Sequence, residues 1–281
     1  MKLFFILACM AAVPFLLAFA STGTAKVTRF VRYSIAGRVG YGILDGETIR
    51  ELNGNFLAGA SPTGNTLRLS EVRLLAPCEP SKVIAVGLNY RSHLGGRPGP
   101  AYPGLFTKLP TAIIGPGDSI VFPAGATDVH YEGELVAVIG RKAHLVSPAD
   151  APQYVFGVTA GNDVSERRWQ KEDLQWFRAK GSDTFGPLGP AVVTGLDYGD
   201  LKIETRVNGD VRQSQRTSDL IFGVDAIVSY VSQFVTLLPG DLIFTGTPGT
   251  TVAMKAGDVV EVEIEGIGVL RNPVAGYAAG R

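Results

Sequence analysis

Cysteine is nearly absent from this chain. Its 281 residues include two, Cys9 in an apolar N-terminal segment and Cys78 alone in the body. If the N-terminal segment is removed, no intrachain disulfide is available, and no zinc-ligand spacing is present. Histidine is equally sparse, at three residues. An excess of charge of one sign is also missing, since 26 Lys and Arg balance 26 Asp and Glu. Such a balance offers no electrostatic footprint for nucleic acid or an anionic membrane surface, and nucleic acid is not expected as a partner. There is no repeat array and no long disordered linker, and the length suits one large domain or a large one with a small one. Glycine, in contrast, is plentiful, at 35 residues. The pairs Gly117-Asp118, Gly240-Asp241 and Gly257-Asp258 precede apolar runs, which favours a strand-rich, turn-rich fold.

The N-terminus stands apart. Lys2 is followed by apolar residues from Leu3 to Ala20, broken only by Pro14, and Ala18-Phe19-Ala20 before Ser21 offers a small-x-small cleavage site. Residues 1–25 therefore read as a secretory signal peptide, with the protein exported to a periplasmic or extracellular space. An uncleaved membrane anchor at residues 3–20 and a misplaced start codon are the alternatives. Residues 26–77 read as a small β-rich lobe. Val27–Tyr33 alternates like a half-buried strand, and Val39–Leu44 with Glu47–Ile49 forms a hairpin about Asp45-Gly46. Residues 78–281 form the main domain. Helices are expected at Pro148–Tyr154, at Glu166–Ala179 and at Asp225–Leu237. In the second, Trp169, Trp176 and Phe177 share a face; in the third, Ile227, Val228, Val231, Phe234 and Val235 form a stripe. Asp258–Ile264 returns to strand alternation. The fold class is mainly β with a few helices, α+β.

Chemistry concentrates in Tyr131-Glu132-Gly133-Glu134-Leu135 and in Gly161-Asn162-Asp163-Val164. Residues i and i+2 of a strand face the same way, so Glu132 and Glu134 project together. The run Leu135–Gly140 is free of charge and reads as a buried strand. Carboxylates opening such a strand are costly unless neutralised. A divalent cation does that, and an all-oxygen set suits Mg²⁺, Mn²⁺ or Ca²⁺ better than Zn²⁺ or copper. A solvated strand end is the competing explanation.

Six segments in order resemble the fumarylacetoacetate hydrolase (FAH) family over about Ser81 to Val274. They are Lys82–His93, Leu105–Gly115, Tyr131–Arg141, Asn162–Arg167, Lys180–Pro190 and Pro239–Pro248. The resemblance implies a mixed β-sandwich roll, with the metal and pocket on one side and usually a homodimer. It implies Glu132, Glu134 and Asp163 as metal ligands, Lys180 as the active-site lysine, and Thr247 as a contact for the substrate carboxylate. Arg167 is expected either to pair with Asp163 or to face substrate, and Tyr90 to face substrate. His93 matches a general base that the family pairs with a glutamate three residues on, and here that position is Gly96. The substrate class implied is a 2-oxo or 2,4-dioxo acid. Cleavage of a C–C bond by hydrolysis is the first expectation. Decarboxylation or keto–enol isomerisation on the same site is the second, and a non-catalytic, metal-stabilised binding protein the third.

Overall fold

The computed structural model describes residues 26–277. Its chain begins as an antiparallel meander of β1 (Thr28–Ile35), β2 (Arg38–Asp45), β3 (Thr48–Leu52) and β4 (Pro62–Arg68), to which β5 (Arg73–Leu75) adds by pairing with β1. The β1–β2 turn places Ala36 and Gly37 at φ 48° and 77°, the left-handed pair that matches strand twist. In the β2–β3 hairpin Asp45 pairs with Thr48, so the turn is Gly46-Glu47, one residue beyond the expected Asp-Gly.

The rest of the chain supplies β6 (Val83–Gly87), β7 (Gly104–Lys108), β8 (Ile113–Ile114), β9 (Ile120–Val121), β10 (Val129–His130), β11 (Gly133–Ile139), β12 (Val155–Asn162), β13 (Ser165–Glu166) and β14 (Gly186–Thr194). Then come β15 (Lys202–Val207), β16 (Asp210–Arg216), β17 (Leu242–Phe244), β18 (Val259–Ile264) and β19 (Gly268–Ala275). The large sheet runs β4-β3-β2-β1-β14-β12-β11-β17-β6-β7, and the second runs β16-β15-β18-β19-β9. Because β1 pairs with β14, the N-terminal strands extend the central sheet.

Why Leu135–Gly140 carries no charge is now physical. Leu135, Ala137 and Ile139 pack with Ile203, Val262 and Ile264 of the second sheet, and with Ile227, Val228 and Val231. Val136 and Val138 point the other way, into Leu188, Val192, Leu242 and Phe244. A strand buried on both faces tolerates no polar alternation. Gly133, between the two glutamates, is required by the same packing: a Cβ there would stand 2.1 Å from Thr205 Oγ1 of β15.

The helices differ from expectation. Glu166–Ala179 is not one helix but α1 (Arg167–Glu172), a 3₁₀ turn at Leu174–Trp176 and α2 (Phe177–Gly181). Gln175 and Trp176 take φ of 61° and 57°, and the Asp173 carboxylate accepts hydrogen bonds from the Arg178 backbone and guanidinium. The break turns Trp176 against Phe106, edge to face at 5.1 Å, and leaves Phe177 65% exposed. α3 (Val224–Ser232) buries Ile227, Val228 and Val231 as expected but stops before Phe234, which is 68% exposed. Pro148–Tyr154 holds only a 3₁₀ turn, Ala151–Tyr154.

Candidate active site and metal centre

Glu132 and Glu134 flank the start of β11, and Asp163 follows the end of its neighbour β12. Two backbone-directed bonds bring them side by side: Asp163 N–H donates to the Glu132 carbonyl, and Glu132 N–H to Asn162 Oδ1, each at 2.8 Å. One carboxylate oxygen from each of the three lies within 4.8 Å of the others, and all three residues are buried. The donor set is oxygen only, which fits a hard divalent cation.

Three cations surround the three carboxylates. Lys180, carried inward by α2, donates to Glu132 Oε2 at 2.8 Å and to Asp163 Oδ2 at 2.5 Å. Lys108, at the end of β7, donates to Asp163 Oδ1 at 2.5 Å and to the Lys180 carbonyl at 2.6 Å. Arg167 Nη2, at the start of α1, meets Glu132 Oε1 at 2.5 Å. Glu134 has no cation this close; its Oε2 accepts from the Gly246 N–H at 2.7 Å. Gly246 sits at φ 107°, in a loop where a Cβ would strike Asn89, so glycine is needed for that bond to form.

The protonation balance follows from this geometry. Burial, then the charges of Asp163 and Glu132, push the Glu134 carboxyl well above the usual range. Burial acts on Glu132 in the same sense, but Lys180 and Arg167 outweigh it and hold that carboxyl low. Burial alone would lower Lys180; Asp163 and Glu132 reverse the effect, so its ammonium is held more firmly charged. For Lys108 burial prevails over Asp163, and its pKa is lowered. The protein thus neutralises two of its three carboxylates by ion pairing and leaves the third to a proton or a metal.

A small inner cavity of about 40 Å³ is bounded by these carboxylates, Lys180, His93, Phe106 and Thr247. It adjoins an outer cleft of about 510 Å³, and His93, Leu88, Gln170 and Trp176 border both. The outer cleft is also lined by Arg97, His130, Arg167 and Lys171, with no carboxylate side chain among the described residues. Anions suit such a cleft.

His93 meets the problem of its missing partner differently from expectation. Gly95 and Gly96 turn the chain away at φ 60° and 82°. The imidazole is oriented by a backbone carbonyl, with Nδ1 2.5 Å from Gly249 O. Nε2 is left facing Glu132 Oε1 at 3.7 Å, too far for a hydrogen bond. Thr247 borders the inner cavity, its hydroxyl donating to the Gly133 carbonyl and accepting from Gln213 Nε2. Tyr90, expected at the substrate, is fully buried, its hydroxyl has no hydrogen-bond partner, and it lines neither cavity. Sequence reasoning missed Lys108, Gln170, Trp176, Gln213 and His130 as neighbours of the site. Lys108 lay inside a segment already singled out. Gln213 gave no signal, because its strand is polar apart from the exposed Val211 and only the approach of β16 to the Thr247 loop buries it.

Comparison with known proteins gives these residues a family. The family model described as Fumarylacetoacetate (FAA) hydrolase C-terminal matches residues 82–275, and one described as Rv2993c-like, N-terminal matches residues 28–77. Protein Rv2993c of Mycobacterium tuberculosis is 48% identical over 88% of this chain and 97% of its own length. The bovine (Bos taurus) mitochondrial oxaloacetate tautomerase FAHD2A is 44% identical over 73% of this chain and 70% of its own. The crystal structure of 2-hydroxyhepta-2,4-diene-1,7-dioate isomerase from Mycobacterium marinum superposes with a TM-score of 0.84 at 46% identity, covering 90% of this chain and all of that one. The expectation of export or of membrane anchoring is corrected by these relatives, one of which is mitochondrial by name. Residues 1–25, on which that expectation rested, lie outside the described residues, and no described helix is long and apolar enough to cross a membrane. With the acidic cluster, the lysine and the strand order all in place, the chain belongs to the fumarylacetoacetate hydrolase family and is an enzyme of that family.

Proposed function

We propose that this enzyme, with Mg²⁺ or Mn²⁺ bound, moves a proton between carbon and oxygen of a 2-oxo acid, as a tautomerase or isomerase. The observation that carries this reading is the placement of His93. Its Nδ1 is committed to a carbonyl, and its Nε2 faces the inner cavity without a carboxylate partner in hydrogen-bond range. One ring nitrogen that accepts a proton and returns it suffices for tautomerisation. Hydrolysis needs in addition a water held against the reacting carbon, and no paired carboxylate is there to help activate it.

Glu132, Glu134 and Asp163 would hold the cation, which when bound supplies a Lewis acid for the substrate's 2-oxo oxygen. Lys180 presents a fixed ammonium at the cavity wall, its Nζ 4.8 Å above the Phe106 ring. A charge pre-aimed in this way stabilises negative charge developing on substrate oxygen without reorganisation. Thr247 bounds the space for the substrate carboxylate. Arg167 and Gln170, joined at 2.8 Å, form the wall between inner and outer space. Residues 26–77 serve as a structural lobe, since none of them lines either cavity. The names of two relatives, a tautomerase and an isomerase, support the same reading. C–C hydrolysis is the second reading, favoured by an outer cleft of about 510 Å³, roomy enough for an acyl group.

The test is a pair of assays, oxaloacetate keto–enol exchange and acylpyruvate cleavage, each with and without EDTA. Exchange that EDTA abolishes, with slow cleavage, is the expected result. Fast cleavage that is lost in His93→Ala makes the second reading the correct one, and EDTA-insensitive turnover removes the metal from both.

A further inference from the structure

Three separate segments meet at the rim of the outer cleft. β10 pairs with β13, His130 bridges to Ala253, and the Arg167 N–H donates to the Asp128 carbonyl at 2.9 Å. The side chains of Asp128, His130, Thr251 and Arg167 then form one continuous chain. His130 Nε2 is 2.8 Å from Asp128 Oδ1, and Nδ1 is 2.9 Å from Thr251 Oγ1. The same Thr251 oxygen is 2.9 Å from Arg167 Nη2.

Donor and acceptor roles along this chain follow from its two ends. The Asp128 carboxylate only accepts, so His130 carries a proton on Nε2 and donates it there. In the neutral ring Nδ1 is then an acceptor and takes the Thr251 hydroxyl proton. The guanidinium only donates, so Thr251 Oγ1 accepts from Arg167.

A histidine beside an aspartate on a cleft wall invites comparison with a catalytic base. Both of its nitrogens are spent, however, and neither faces the inner cavity as His93 Nε2 does. The geometry points instead to Asp128, His130 and Thr251 as a positioning unit that holds the Arg167 guanidinium against Glu132. Arg167 Nη2 is shared between Thr251 and Glu132 Oε1, at 2.9 and 2.5 Å, and Nη1 is tied to Gln170. The guanidinium competes with a cation for Glu132. The unit therefore sets how firmly that carboxylate is shared between arginine and metal, and it keeps the arginine facing the cleft. This inference rests on reading Glu132 as a cation ligand.

The competition gives the inference a signature that general loss of structure does not share. Thr251→Val removes the hydroxyl at nearly constant volume. Freed from its anchor, Arg167 releases Glu132, so Mn²⁺ affinity measured by calorimetry rises about fivefold while turnover of the loaded enzyme falls by about the same factor. Thr251→Ser restores both. Unchanged Mn²⁺ affinity in Thr251→Val overturns the inference, as does weaker Mn²⁺ binding in step with lost turnover, or a Ser variant that behaves like Val. Failure of the wild type to bind Mn²⁺ overturns the metal reading instead. In that case the imidazole ¹⁵N spectrum of the metal-free protein decides: a His130 protonated on Nε2, with its Nδ1 resonance moving in Thr251→Val as the hydroxyl donor is lost, upholds the positioning unit, and a His130 protonated on Nδ1 alone, or an Nδ1 resonance unmoved in Thr251→Val, overturns it.

Discussion

On the proposed reading, Glu134 is the residue on which metal binding turns. Glu132 and Asp163 have lysine or arginine partners within hydrogen-bond range, whereas Glu134 has only the Gly246 N–H. Its carboxyl is pushed up by burial and by two negative neighbours. A cation and a proton therefore compete for it. Near neutral pH, binding of Mg²⁺ should release up to about one proton, seen as a dependence of calorimetric heat on buffer ionisation enthalpy. Affinity should rise with pH. Glu134→Gln should lose the proton release and most of the affinity; equal release in the variant would assign the proton elsewhere. The sign for stability is opposite in the metal-free protein. A carboxyl whose pKa is raised on folding stabilises the fold below its unfolded value and loses that contribution as pH climbs toward the folded one. Metal-free protein should thus weaken over that window and regain stability when Mg²⁺ is added, as thermal melts at several pH values would show.

At the scale of elements, the site depends on how β17 and the loop after it are tied to β6. The two strands pair in parallel, with Leu242 opposite Val83 and Phe244 opposite Ala85. Asp241 anchors that junction from full burial. Its carboxylate accepts from Ser81 Oγ at 2.6 Å, Lys82 Nζ at 2.5 Å and the backbone N–H of Leu238 at 2.6 Å, with the N–H groups of Ser81 and Lys82 close by. Ser81, Lys82 and Leu238 all reach solvent, so water can take up part of what the carboxylate provides. Asp241→Ala should cost about 1–3 kcal/mol in urea unfolding, and Asp241→Asn less, because it keeps one acceptor oxygen. A loss below about 1 kcal/mol for the alanine variant would show that water replaces the carboxylate. The broken helix at 167–181 follows a related logic: the left-handed residues Gln175 and Trp176 give up helical hydrogen bonds to bring Trp176 and Lys180 to the same cavity.

For the whole molecule, one surface feature carries an expectation. Arg97, Lys171 and Arg167 give the outer cleft a positive lining in a protein of zero net charge. A 2-oxo acid with a second carboxylate at its far end should bind more tightly than its methyl-ended equivalent. The preference should fall in Arg97→Gln with Lys171→Gln and shrink as salt is raised, because exposed charges are screened within about 8 Å at physiological ionic strength. Equal affinity for the two ligands in the wild type would deny the cleft that role.

The sequence by itself determined the family and proposed the site. Spacing of two in a strand placed Glu132 and Glu134 together, the charge-free run Leu135–Gly140 announced a buried strand, and motif order identified the family and put Lys180 forward as a site residue. These features are local, and local periodicity survives in sequence. Gly96 told truthfully that the glutamate was gone. Only the tertiary structure decided what stands in for it, because the Gly249 carbonyl lies 156 positions from His93 in the chain. The same holds for Lys108 on Asp163, for Gln213 behind Thr247, and for the chain from Asp128 to Arg167. Each is a hydrogen bond between segments joined by strand pairing or loop packing, and such contacts leave no period to read. The helix break at Trp176 was hidden for a different reason: its aromatic residues have helical spacing, and the packing of the half-buried Trp176 against Phe106 depends on a strand distant in sequence.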